Sequence, residues 1–194
     1  AYRHIHYAGQ PLSFIANERD PGLRHQIQYI FQNPYRSLNP RQTVAQSLAA
    51  PLQHFFGLGG QPLQDRIAQV LKQVSLPVSI GDAYPGSLSG GERQRISIAR
   101  ALLCEPKLII CDEITSALDV SVQASILALL RELQRSGVTL LFVTHDLGVV
   151  RAIADRVVVL QHGKIVEQGL VDEVLDAPKA DYTRTLIANS PSLL

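Results

Sequence analysis

Apolar residues recur along the chain with two distinct periods. Ile27, Tyr29 and Phe31 alternate with Gln28 and Gln32, which predicts a half-buried strand ending at Gln32. Ile67, Val70, Leu71 and Val74 fall at i, i+3, i+4 and i+7, and Pro62 sits near the first turn of the helix they predict over 62–75. Val122, Ile126, Leu129, Leu130 and Leu133 line one face of a helix over 121–136, with Gly137 as its stop. Further helices are expected over 43–54, 90–104 (stopped before Pro106) and 147–154. The short apolar runs at 107–112 and 138–144 read as strands, the second of them buried. Strands 156–160 and 164–167, joined by Gln161-His162-Gly163, predict a hairpin. Two prolines and two asparagines make 33–40 a loop, and 170–188 reads as two short helices broken at Pro178. There are no internal repeats. The alternation of strands and helices predicts an α/β fold.

Composition narrows the class. A chain of 194 residues, 46% hydrophobic, can bury one sizeable core as a single domain. Eighteen Lys and Arg against 17 Asp and Glu leave a net charge of +1, so no electrostatic footprint for nucleic acid or an anionic membrane exists. The longest apolar runs fall far short of the ~20 residues that span a bilayer. The first residues carry no signal-peptide pattern, and the lack of an initiating Met reads as a cut or truncated chain. Cys104 and Cys111 have no neighbours at zinc spacing, and read as buried free thiols of a reducing cytosol.

The chemistry concentrates in two places. Residues 88–95 read Leu-Ser-Gly-Gly-Glu-Arg-Gln-Arg, and 108–113 read Leu-Ile-Ile-Cys-Asp-Glu. A Ser-Gly-Gly run opening a helix offers bare N–H groups and a positive dipole end to an anion. An apolar strand ending in two carboxylates offers one group to a metal and one to a water. Together they suit a magnesium-bound phosphate chain. Ser89 with Glu92 is also a capping box, and that alone accounts for both. It does not account for Gly90 and Gly91, each costing a helix roughly 1 kcal/mol relative to Ala; a close approach to the backbone does. Asp112 and Glu113 are costly to bury without a cation. Asp119 serves equally well as a helix cap. His145 is a strand-end residue, and Gln32 a polar loop group, on their own evidence. The phosphate-cradling run G-x-x-x-x-G-K-[ST] is absent from the sequence.

Taken in order, Gln32, Ser89-Gly90-Gly91, Asp112-Glu113, Ser116-Ala117-Leu118-Asp119 and Thr144-His145-Asp146 resemble the ATP-binding subunits of ABC transporters over essentially the whole chain. The resemblance implies a P-loop NTPase-like ABC ATPase core, here incomplete, in a single domain. A helical subdomain would occupy 33–87, the signature, Walker B and switch region 88–169, and a C-terminal extension 170–194. It implies ATP and Mg2+ as ligands. Ser89, Gly90, Gly91, Glu92 and Asp119 would bind nucleotide across a dimer, and Asp112, with Gln32, would serve the metal. Glu113 would be the general base, with His145 and Gln32 beside it. The expected partners are transmembrane permease subunits and a second ABC ATPase domain, identical or not, with no nucleic acid, at the cytoplasmic face of the inner membrane. Asn33-Pro34-Tyr35-Arg36-Ser37-Leu38-Asn39-Pro40 and Tyr182-Thr183-Arg184-Thr185-Leu186 resemble the oligopeptide/dipeptide import branch, whose members import peptides, nickel and glutathione. Three departures stand out: Ile114 where the family has proline, Ala180-Asp181 for the expected His-Pro, and the missing Walker A loop. The resemblance therefore implies a domain that has lost its first part and is inactive alone, or, as the alternative, a non-catalytic remnant that donates a half-site to a partner ATPase. A soluble ABC ATPase acting on ribosomes or DNA would carry a different D-loop, a coiled-coil insertion or a basic surface.

Overall fold

A computed structural model describes residues 4–115 and 118–190. Three parallel strands form the central sheet, in the order β3 (Ile27–Ile30), β4 (Leu108–Asp112), β5 (Thr139–Val143). Before them lie an antiparallel pair, β1 (Ile5–Tyr7) and β2 (Gln10–Leu12), and a one-turn helix α1 (Pro21–Arg24). Strands of three residues are too short to register as a periodic pattern, which is why the first hairpin is invisible in the sequence. Between β3 and β4 every element is helical: α2 (Pro34–Ser37), α3 (Val44–Phe56), α4 (Gly60–Gln73) and α5 (Gly90–Leu102), with single 3-10 turns at Val78–Asp82 and Pro85–Ser87. Helix α6 (Val120–Arg135) links β4 to β5, and α7 (Leu147–Ile153) follows. The hairpin β6 (Arg156–Gln161) and β7 (Lys164–Leu170) precedes α8 (Val171–Asp176) and α9 (Asp181–Ala188). Among the described residues no helix is long and apolar enough to cross a membrane.

Most expected elements form within two or three residues of their expected ends, and three expectations are corrected. The loop over 33–40 contains the turn α2, closed by the Ser37 hydroxyl donating to the Pro34 carbonyl at 2.9 Å. Strand β3 stops at Ile30, not Gln32, and its buried face is the opposite one: Ile30 is buried while Tyr29 and Phe31 are exposed. The helical layer lies over the Ile30 side, where Gln28 is tolerated because its amide donates to the Arg24 and His25 carbonyls at 3.0 and 3.1 Å. Strand β5 is not buried on both faces; Leu141 and Val143 are exposed, because the sheet face they share with Tyr29 is left open among the described residues.

Helix α5 is the centre of the core. Ile96, Ser97, Ile98 and Ala99 are consecutive and all buried, so neighbours surround this helix on every side. Its arginines fit there because each turns its guanidinium to backbone carbonyls. Arg93 donates to Pro85 at 2.7 Å, Arg95 to Val74 at 2.9 Å, and Arg100 to Ser37. Burial pushes the Arg100 pKa down from its ordinary value. The Ser37 and Ser97 hydroxyls also pair at 2.8 Å, which fastens α2 to α5. Helix α6 adds Ile126, Leu129, Leu130 and Leu133 to the same core, and Gly137 (φ 96°) closes it in the left-handed conformation that glycine adopts at least cost.

Candidate active site

Parallel pairing carries the ends of β3, β4 and β5 to one edge of the sheet, so residues that follow those strands meet there. Asp112 is the last residue of β4, paired with Val143 of β5. Glu113 then turns sharply: its φ is 45°, a left-handed conformation that costs a non-glycine residue about 1 kcal/mol or more. Its N–H donates to the Val143 carbonyl at 2.9 Å, which holds the turn against β5. A strained acidic residue at the end of a buried strand is the kind of outlier that function retains.

The Glu113 carboxylate sits between two other candidates. Gln32 Nε2 donates to Glu113 Oε2 at 2.5 Å, and His145 Nδ1 lies 3.2 Å from Glu113 Oε1. Gln32 comes from the loop after β3 and His145 from the turn after β5, so three separate segments converge on one carboxylate. Asp146, next to His145, caps α7 by accepting from the Gly148 and Val149 amides at 2.9 and 3.3 Å. That cap fixes the turn which presents the imidazole. Asp112 accepts the Tyr29 hydroxyl on Oδ2 at 2.5 Å. This hydrogen bond is the main reason the Tyr29 pKa is raised, with burial and the Asp112 charge adding to it. Nothing local in the sequence signals this contact of Tyr29; the strand register sets it.

The remaining candidates form a second group at two helix N-termini. The capping box at α5 is complete: Ser89 N–H donates to Glu92 Oε2 at 2.8 Å, and Glu92 N–H to Ser89 Oγ at 3.2 Å. The backbone and side-chain bonds from Ser89 lower the Glu92 pKa. Asp119 caps α6, taking the Ser121 hydroxyl at 2.6 Å and the Val122 amide at 2.9 Å on Oδ1. Those bonds, Ser121 first, lower its pKa. Gly91 and α6 touch: a Cβ at Gly91 would come within 2.8 Å of Val122 Cγ1, so Val122 makes the close approach that Gly91 permits. A Cβ at Gly90 would meet nothing within 4 Å, so its backbone stands open. Ser116 and Ala117 of the expected D-loop lie outside the described residues.

The donor chemistry at the strand ends suits a hard divalent cation. Asp112 and Gln32 offer oxygens, whereas the soft sulfur of Cys111 belongs to the other, buried face. Magnesium keeps several waters and takes one or two carboxylates beside phosphate oxygens, so it needs no cluster of three ligating side chains, and the described residues hold none.

The chain is similar to proteins of known kind. The model of the family described as "ABC transporter" matches residues 3–116. The oligopeptide transport ATP-binding protein OppF of Escherichia coli (strain K12) is 44% identical over 97% of this chain and 57% of its own length. The glutathione import ATP-binding protein GsiA of the same strain is 45% identical over 96% of this chain and 30% of its own. The chain thus spans about half, or less, of the length of these curated relatives. Among solved structures, the dimeric post-hydrolysis state of the ATP-binding cassette MJ0796, bound to ADP and Pi, is 29% identical with a TM-score of 0.73, over 85% of this chain and 72% of that one. The structure of cbiO1 from Clostridium perfringens, part of the ABC transporter complex cbiONQ, gives a TM-score of 0.76 at 26% identity, over 96% of this chain and 72% of that one. The Gln32–Glu113–His145 cluster and the capped helix α5 thus stand on an ABC cassette scaffold, and the chain belongs to the ABC transporter family of ATP-binding proteins.

Proposed function

We propose that this chain is part of an ATP-hydrolysing subunit that powers import of peptides or related small solutes through transmembrane permease subunits. The single observation that supports it most is the Glu113 carboxylate, held in a strained turn between Gln32 and His145 and next to Asp112. Glu113 acts as general base on the attacking water. His145 orients that carboxylate and stands exposed, free to contact the terminal phosphate. Asp112, with Gln32, holds magnesium, which when bound neutralises charge on the β- and γ-phosphates. Ser89, Gly90 and Gly91 present N–H groups to the nucleotide of a second ATPase domain, and Asp119 organises that dimer contact. Gln32, bonded to Glu113 at one end of a loop, passes the state of the site to α2 and the helices over 33–87, which form the subdomain facing the permease. The protein works at the cytoplasmic face of the inner membrane.

The test is ATP turnover by the protein made from its native locus, beside the 194-residue chain alone. Turnover by the first that Glu113→Gln abolishes, with none by the second, supports the proposal. Turnover by the first that survives Glu113→Gln overturns it.

A further inference from the structure

One polar contact at the strand ends has no role in the scheme above. The Tyr29 hydroxyl donates to Asp112 Oδ2 at 2.5 Å. The register explains the reach. Tyr29 lies opposite Ile110 in the parallel ladder, and Asp112 follows two residues later on the same face. Two strand residues cover about 6.6 Å, the span of a tyrosine side chain. Phe31, also on this face, places its ring 4.7 Å from that of Tyr29 at 51°, which restricts where the phenol can swing.

The contact is not explained by packing. Among the described residues Tyr29 is 42% exposed, and a phenyl ring would cover the same apolar surface. The hydroxyl adds only the bond to Asp112. A carboxylate at a strand end rotates freely about its last bond unless one oxygen is held, and a bonded partner of this kind sets the orientation in which a ligating group meets its metal. We infer that Tyr29 is a positioning residue for Asp112, fixing the carboxylate by Oδ2 before a divalent cation arrives. This inference rests on the reading that Asp112 holds the metal.

The experiment uses the protein made from its native locus and Mn2+ as probe, titrated by electron paramagnetic resonance in the presence of ATP, for wild type, Tyr29→Phe and Asp112→Asn. Tyr29→Phe should weaken Mn2+ binding roughly 10-fold, the lower end of the range for outer-shell partners, with no change in thermal midpoint. Ultraviolet resonance Raman spectra of the wild type should show a strong tyrosine donor signature that both variants lose. Mn2+ affinity unchanged or tighter in Tyr29→Phe, with Asp112→Asn clearly weakened, overturns the role of Tyr29 alone. Unchanged affinity in both variants removes Asp112 as the metal holder, and the inference with it.

Discussion

The two faces of the central sheet have the same strands and opposite characters. On one, Ile30, Ile109 and Cys111 are buried beneath a helical layer that α5 organises. On the other, Tyr29, Leu141 and Val143 are exposed, and Asp112 and its tyrosine partner stand among them. A parallel sheet is ordinarily covered on both sides. The covered face carries the stability of the described residues; the open face and the strand ends beside it carry the candidate chemistry. Substitutions should therefore separate cleanly into those that unfold the chain and those that silence it.

The largest separation is expected at Glu113. Replacing it with Gln in the protein from its native locus should lower phosphate release by roughly 10^2- to 10^4-fold, the contribution of a positioned general base. The thermal midpoint should move little, since the left-handed turn persists. A large drop in midpoint would show that Glu113 is a structural residue. On the covered side the sign reverses. Leu130→Ala, at a fully buried position of α6, should cost roughly 2–5 kcal/mol of unfolding free energy in a urea titration. A loss under 1 kcal/mol would mean that the core here is loosely packed.

The thiols sharpen the same contrast through pH. Burial pushes the Cys111 thiol up to about 12 and the Cys104 thiol up to about 11, from an ordinary value of 9.0. With the folded values raised, the folded chain holds its protons longer than the unfolded one. This contribution to stability is complete below about pH 9 and is lost as pH climbs through 11 and 12. Denaturant midpoints should fall over that window, and both thiols should resist alkylation at pH 8 until the chain unfolds. Rapid alkylation of the native protein would break the assignment of Cys111 to a closed face. A smaller effect is expected for Ser89→Ala, which removes one half of a complete capping box and should cost about 1 kcal/mol. The smallest belongs to the open face: Leu141→Thr in the 194-residue chain should stay within about 0.5 kcal/mol of wild type.

The sequence by itself determined much of this. Helical periodicity located α4 and α6 because a 3.6-residue repeat survives whatever packs against it. Local bonding located two caps, since Ser89 with Glu92, and Asp119 before its helix, need only a few adjacent residues. Residue types at the end of β4 marked Asp112 and Glu113 as candidates, and the family resemblance, carried by the order of the motifs, added Gln32 and His145. What residue order could not supply was the third dimension. Alternation shows that β3 has two different faces, but which of them is buried depends on where the helices after it return, and the Ile30 side was chosen. The meeting of Gln32 and His145 on Glu113 spans 81 and 32 residues of chain, and only parallel pairing brings those segments to one edge. The tyrosine on Asp112 was hidden for the same reason: its partner is set by register, a long-range property that no local pattern encodes.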